Sequence, residues 1–274
     1  MNGKRILITG VSGVIGSRLY NYLEDYNPIG ITRQKRFLKD KNIIRCDLTK
    51  LNEFKKIIGI IKPEIIYHFA ALTNPKINEI TPEKARMLNV TITKNIIRSI
   101  DTQNTHLIFL SSDKVFDGSN IDPDENSKTN PLWLYGKLKL ECEKIIKDNV
   151  LMHHIIRLPI VHGNGEENRP SFIDEALIDL RNGNKVNVFD NVERCYVRLD
   201  ELTNFLKILI NDSHFGIYHA GSALMSYHER ISMICKENSI ASNDFLVRIT
   251  GNAKPPVQNL SSNKLKHTFN FSFS

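Results

Sequence analysis

Near its start the chain reads Thr9-Gly10-Val11-Ser12-Gly13-Val14-Ile15-Gly16, three glycines at a G-x-x-G-x-x-G spacing. Lys4 to Thr9 before them is apolar and β-rich, and Ile15, Leu19, Leu23 and Tyr26 recur at helical spacing, so the glycines form a tight turn from strand to helix. The first N–H groups of a helix lack intrahelical partners and carry partial positive charge, which favours an anion there. Gly10 permits the sharp turn, Gly13 lets backbone N–H groups approach a pyrophosphate, and Gly16 allows close packing of helix on strand. Three glycines alone also fit an ordinary turn, but the strand and helix around them favour a dinucleotide.

The alternation continues. Pro28 to Arg33, Ile43 to Cys46 and Glu64 to Phe69 read as strands and Leu51 to Ile61 as a helix. Thr81-Pro82-Glu83 offers a cap, a first-turn proline and an early acid for a helix running through Met87 and Ile96 to about Ile100. His106 to Ser111 is a strand, Asp113 to Thr129 a polar loop, Asn130-Pro131 the start of a helix to Asp148, and Met152 to Leu158 a further strand. Strands alternating with helices predict an α/β fold, a Rossmann-like doubly wound parallel sheet with helices on both faces. Beyond Pro159 the pattern loosens. Helices are predicted over Ser171 to Arg181, Asp200 to Ile210 and Tyr227 to Asn238, strands over Val186 to Phe189 and Gly216 to Ala220, and a short basic helix near Leu265 after Pro255-Pro256. This organisation gives a dinucleotide-binding domain over 1–158 and a smaller substrate-binding lobe over 159–274, with some later segments returning to the first domain.

At 274 residues, 41% hydrophobic and 24% charged, the chain can bury an enzyme-sized core, and a disordered composition is excluded. The net charge of +7 is scattered among acidic residues rather than gathered on one stretch, so neither nucleic acid nor a membrane surface is the expected partner; a small anionic ligand fits. Cys46, Cys142, Cys195 and Cys235 lie far apart without a C-x-x-C pair, which predicts a reducing compartment, the cytoplasm. His153 and His154 would point to opposite faces of one strand, so no metal site is expected from them. No apolar run approaches the roughly 20 residues of a membrane span.

Arg33 ends the second strand, where an enzyme selective for NAD carries an acid for the ribose 2′-hydroxyl. With Lys35 and Arg36 following, the position suits a 2′-phosphate, so NADP(H) is preferred over NAD(H); a solvated basic loop is the plain alternative. Asp47 and Leu48 follow the third strand, where they either contact the adenine or, for Asp47, begin the turn into the next helix. Tyr135 and Lys139 share one helical face, extended by Cys142 and Ile146. A lysine on an apolar stripe either snorkels to water or places its charge beside the phenol and lowers the tyrosine's pKa, readying it as a proton donor.

These motifs resemble the extended short-chain dehydrogenase/reductases. The turn Thr9 to Gly16, the pair in Tyr135-Gly136-Lys137-Leu138-Lys139 and the strand end Ser111-Ser112 stand in that family's order. The loop His68-Phe69-Ala70-Ala71 and Asn89-Val90 also match, where the resemblance implies residues that line the cofactor and support the active site. Within the family, Ser111 to Gly118 and Tyr135 to Glu141 are similar to the dTDP-4-dehydrorhamnose reductases, although Lys114 stands where those enzymes usually carry tyrosine. The resemblance implies a nucleotide-sugar substrate, a place in nucleotide-sugar metabolism and polysaccharide biosynthesis, and reduction of a 4-keto-6-deoxy sugar. Tyr135 would protonate the carbonyl oxygen, Lys139 would hold the nicotinamide ribose, and Ser112, beside Asp113, would bind the same oxygen. Arg194 matches the stretch that holds the sugar nucleotide's diphosphate, or pairs with Glu193 or Asp200. A 4-epimerase and an NADP-binding regulatory subunit resembling the methionine adenosyltransferase β subunit are the alternatives. A 4,6-dehydratase is disfavoured because Ser112-Asp113-Lys114 lacks that class's glutamate. A homodimer through the helices around Met87 and Tyr135 is the family's implied assembly.

Overall fold

A computed structural model describes residues 3–35, 42–163, 170–241, 245–250 and 259–274. The chain divides into two compact units. One comprises Met1–Val115, Thr129–Arg157 and Thr203–Tyr218; the other comprises Phe116–Lys128, Leu158–Leu202 and His219–Ser274.

The first unit is built on a sheet of β1 (Ile6–Thr9), β2 (Ile29–Thr32), β3 (Ile43–Arg45), β4 (Ile65–His68), β5 (His106–Ser112), β6 (His153–Leu158) and β11 (Gly216–His219). Their order is β11-β6-β5-β4-β1-β2-β3, and the pairs from β3 through β5 are parallel. Ile6 to Thr9 and Ile65 to His68 are buried throughout, because helices cover both faces, and this is why these strands read as continuous apolar runs. Ile66 joins a core with Phe54 of α2 (Leu51–Ile61), Ile96 of α5 (Ile92–Ile97), and Leu138 and Ile146 of α6 (Leu134–Asn149). Tyr67, on the opposite face, donates its hydroxyl to the Leu206 carbonyl of α8 (Leu199–Ile208) at 2.7 Å. The strand order reverses beside β1, whose neighbours are β2 and β4; ligands of such sheets bind outside the carboxyl ends of the strands at this point.

The second unit has its own core of Ile173, Leu177, Val188, Tyr196, Ile231 and Cys235. Strand β7 (Ile160–His162) pairs in parallel with β10 (Tyr196–Arg198), β8 (Val186–Phe189) in parallel with β13 (Leu246–Ile249), and β9 (Glu193–Arg194) antiparallel with β12 (Met225–Ser226). Helices α7 (Phe172–Arg181) and α9 (Tyr227–Glu237) each start with a capping box, Ser171 with Asp174 and Ser226 with Glu229. Helix α10 spans Asn263–Phe269.

Gly216 to His219 is a strand of the main sheet. The structure departs from the sequence reading in three places. The long helix expected from Pro82 runs without interruption to Ile97, but as α4 (Pro82–Arg86), an unanticipated π-turn over Met87–Thr91, and α5 in succession. Thr81 precedes α4 without capping it, because its hydroxyl donates to the Ile77 carbonyl at the end of an unanticipated helix, α3 (Pro75–Ile80). Helix α6 starts at Leu134 rather than at Asn130-Pro131; the Asn130 N–H meets the Val115 carbonyl at 3.0 Å in the preceding segment.

Candidate active site

At the end of β1 the chain turns sharply. Gly10 has φ +73°, and a Cβ there would stand 2.7 Å from the Ala70 backbone nitrogen, so only glycine fits. A Cβ on Gly16 would lie 2.3 Å from the Gly10 carbonyl oxygen, the close approach of helix to turn that the spacing implied. Gly13 is the N-cap of α1 (Val14–Tyr22); no side chain caps the helix and its first turn carries no acid. The N-terminal N–H groups of α1 are thus left to an outside anion, and the cradle fits a dinucleotide's pyrophosphate. Ser12, Gly13, Val14 and Ile15 are half-buried along it.

Thr9 links this turn to the loop after β4. Its buried hydroxyl accepts from the N–H groups of Phe69 and Ala70 at 3.2 and 3.3 Å and bonds His68 Nδ1 at 3.1 Å. His68 Nε2 in turn bonds Thr93 Oγ1 at 2.9 Å. Burial, then the charge of Lys139, pushes the His68 pKa down to about 3, so it is a neutral bridge and not an acid–base group. Asn89, in the π-turn, accepts from the Leu72 N–H at 3.0 Å, and Asn78 donates to the Leu72 carbonyl at 3.0 Å, pinning the far end of the loop that contains Phe69, Ala70 and Ala71. A π-turn at such a place is a frequent mark of a functional site. Sequence reasoning took Thr9 only as the start of the glycine turn and missed Asn78 and Thr93, since isolated hydroxyls and amides carry no spacing signal.

At the other cofactor positions, Arg33 is exposed at the end of β2, and Arg36 lies outside the described residues. Asp47 begins the turn into α2: its Oδ1 accepts from Thr49 N and Oγ1 at 3.1 and 2.8 Å. Burial pushes its carboxyl up, but the Thr49 bonds and the charges of Arg33 and Lys50 outweigh this and hold it below the ordinary range. The Leu48 side chain is in the core under α2 and α5.

Strand β5 delivers Ser112. Its hydroxyl donates to Asp113 Oδ1 at 2.9 Å and accepts from the Lys114 N–H at 3.2 Å, and both Ser112 and Asp113 are buried. The first turn of α6 abuts this bend: a Cβ on Gly136 would lie 2.0 Å from the Lys114 carbonyl oxygen. Gly136 is therefore what lets Tyr135 approach the Ser112 turn, a role its motif did not disclose.

Lys139 does not snorkel. It is 5% exposed, and its Nζ donates to the Leu110 carbonyl at 2.7 Å and lies 4.4 Å from the centroid of the Phe109 ring. Its Nζ is 5.9 Å from the Tyr135 ring centroid. Burial pushes the Lys139 pKa down to about 8, against the opposing pull of Cys142 and Glu143. The phenol of Tyr135 moves opposite to the direction expected: burial first, then the Asp113 carboxylate, pushes its pKa well above the ordinary value. The ammonium is spent on Leu110 rather than on the phenolate, and desolvation dominates.

Arg194 lies on β9 in the second unit, opposite Met225 of β12. Asp200 is taken by Arg198 at 3.0 Å, and the buried Nε of Arg194 has no hydrogen-bond partner among the described residues. The described residues contain no metal-binding group of His, Cys, Asp and Glu, and none of their helices is long and apolar enough to cross a membrane.

Comparison with known proteins bears on the same site. The RmlD substrate binding domain family matches residues 4–273. Methionine adenosyltransferase 2 subunit beta of Xenopus tropicalis is 31% identical over 239 residues, covering 83% of this chain and 70% of that protein. The Bos taurus protein of that name is 33% identical over 182 residues, and the matched stretch spans only 54% of its length. A dTDP-4-dehydrorhamnose reductase of Salmonella typhimurium is 30% identical over 173 residues, 60% of this chain and 53% of that enzyme. In fold, the chain superposes on a Bacillus anthracis dTDP-4-dehydrorhamnose reductase solved in complex with NADP, with TM-score 0.85 and 21% identity over 100% of this chain and 94% of that one. The family match runs through both units, the cofactor turn and the Ser112, Tyr135 and Lys139 positions, and the chain belongs to the RmlD substrate binding domain family.

Proposed function

We propose that this protein is an NADPH-dependent reductase of a keto group on a nucleotide-activated 4-keto-6-deoxy sugar. The observation that carries the reading is that one unit gathers an uncapped glycine turn at the switch point and, at the end of β5, a buried Ser112, Tyr135 and Lys139. Gly10, Ser12, Gly13, Val14, Ile15 and Gly16 would hold the pyrophosphate, Arg33 the 2′-phosphate, and Phe69, Ala70 and Ala71 the nicotinamide side, with Asp47 and Leu48 toward the adenine. The cofactor supplies hydride when bound. Tyr135 donates the proton: a phenol kept protonated by burial is ready to give it to an alkoxide, which is far more basic. Ser112 turns its hydroxyl from Asp113 to the same oxygen, where each donor acts on charge that grows in the transition state. Lys139 orients the ribose as a cation below about pH 8. For Arg194 of the second unit, whose Nε has no hydrogen-bond partner among the described residues, the diphosphate is the proposed partner.

The test is NADPH oxidation with TDP-, GDP-, CDP- and UDP-linked keto-sugars, with Tyr135→Phe as control. Turnover that vanishes in the variant while NADPH still binds supports the reading; no turnover with any sugar overturns it. The similarity to methionine adenosyltransferase 2 subunit beta favours a second reading, an NADP-binding regulatory subunit. Copurification of a partner enzyme without turnover would support that one.

A further inference from the structure

Neither the cofactor turn nor the three reactive side chains uses the ion pair of Glu143 and Arg157. Their side chains are 2% and 3% exposed, and Arg157 grips the carboxylate with two prongs, Nη2 to Oε2 at 2.8 Å and Nε to Oε1 at 3.1 Å. Desolvating both charges costs as much as their attraction commonly returns, so stability alone does not account for the pair. Its position does. Glu143 lies one helical turn beyond Lys139 and two beyond Tyr135 on α6. It also accepts the hydroxyl of Ser111, the residue before Ser112. Lys139 donates to the carbonyl of Leu110, the residue before that. Helix α6 is thus pinned to the end of β5 by two links, and Arg157 on the adjacent strand β6 fixes the carboxylate that makes one of them.

The groups facing Lys139 are Tyr135, Cys142 and Glu143 on α6, His68 on β4, and the Phe109 ring and Leu110 carbonyl on β5, with Arg157 of β6 behind Glu143. His68 is neutral, and burial pushes the Cys142 thiol up, so it too is uncharged at neutral pH. Among the described residues of these elements, Glu143 is therefore the anion that offsets two buried cations, Lys139 and Arg157. We propose that Glu143, oriented by Arg157, is a positioning residue that sets the register of Ser112 against Tyr135 and places a carboxylate one helical turn from Lys139.

The catalytic half of this inference rests on the reductase reading; the charge half does not. The experiment follows the Lys139 titration by NMR of protein carrying ¹³C-labelled lysine, assigned with Lys139→Met, beside NADPH affinity and steady-state kinetics. In Glu143→Gln the Lys139 midpoint falls, since the variant removes the carboxylate that favours the ammonium from one helical turn away. The double variant Glu143→Gln/Arg157→Met, which leaves no unpaired arginine, provides the same reading should the single variant not fold; its midpoint falls as well, by less. Ser111→Ala leaves the midpoint in place but lowers kcat on the order of tenfold with KM little changed, since it loosens the register alone. An unmoved midpoint in both Glu143 variants refutes the charge role, and an unchanged kcat in Ser111→Ala refutes the register role. A wild-type protein without turnover would refute the reductase reading and leave the titration result standing.

Discussion

Lys139 is expected to be bought at a cost in stability, and Lys139→Met measures it. A folded-state pKa of about 8 against an ordinary 10.5 means that the buried ammonium costs the folded chain roughly 3 kcal/mol at neutral pH. Methionine fills similar space without charge, but it leaves the Leu110 carbonyl without its donor, which costs about 1 kcal/mol. The net gain is on the order of 2 kcal/mol, or about 4 °C in Tm for a chain of this size. Because the pKa is depressed on folding, the penalty is full below about pH 8, where folded and unfolded lysines are both charged. From pH 8 to about 10.5 the folded lysine loses its proton while the unfolded one keeps it, so wild-type stability recovers relative to the variant. Thermal melts of both proteins from pH 6.5 to pH 10 check this: the variant melts higher at neutral pH, and the gap closes on the alkaline side. A variant that melts lower at neutral pH, or a gap independent of pH, would show that Lys139 is not a desolvated cation. Activity is expected to be lost in the same variant, a residue costly to the fold being retained for chemistry.

Three other perturbations follow. Gly136→Ala forces a Cβ toward the Lys114 carbonyl; circular-dichroism melts should show about 1–3 kcal/mol of destabilisation, and turnover should fall by about 10²-fold with the misplaced Tyr135. Arg33→Asp should weaken NADPH binding by about 10- to 100-fold while NADH binding holds or improves, read by fluorescence titration. Asn89→Ala removes the acceptor for the Leu72 N–H, so hydrogen exchange at Leu72 should quicken and stability drop by about 1–3 kcal/mol, with no change if the loop is held otherwise.

Local patterns made the frame legible in the sequence. The glycine turn, the continuous apolar strands and the Tyr135/Lys139 spacing are each encoded within a dozen residues, where sterics and burial act directly: Gly10 needs positive φ, Gly16 has no room for a side chain, and strands covered on both faces must be apolar. The helix after Asn74-Pro75, which the sequence reading did not anticipate, carries a local signal too, an N-cap followed by a first-turn proline. What was not legible depends on partners far along the chain. The π-turn at Met87–Thr91, the bond from Asn89 to Leu72, the service of Gly136 to the Lys114 carbonyl and the pairing of Glu143 with Arg157 arise only when separate elements are packed together.

The sequence by itself determined most of the elements and which side chains gather at the candidate site, because propensity, periodicity and glycine sterics are properties of short stretches. Tertiary structure alone decided the ionisation of those side chains. Tyr135 was expected to become more acidic beside Lys139, and the packed core does the reverse: it withdraws both groups from water, directs the ammonium to Leu110 and sets Asp113 against the phenol. Desolvation is fixed by everything that surrounds a group, and no spacing along a chain records it.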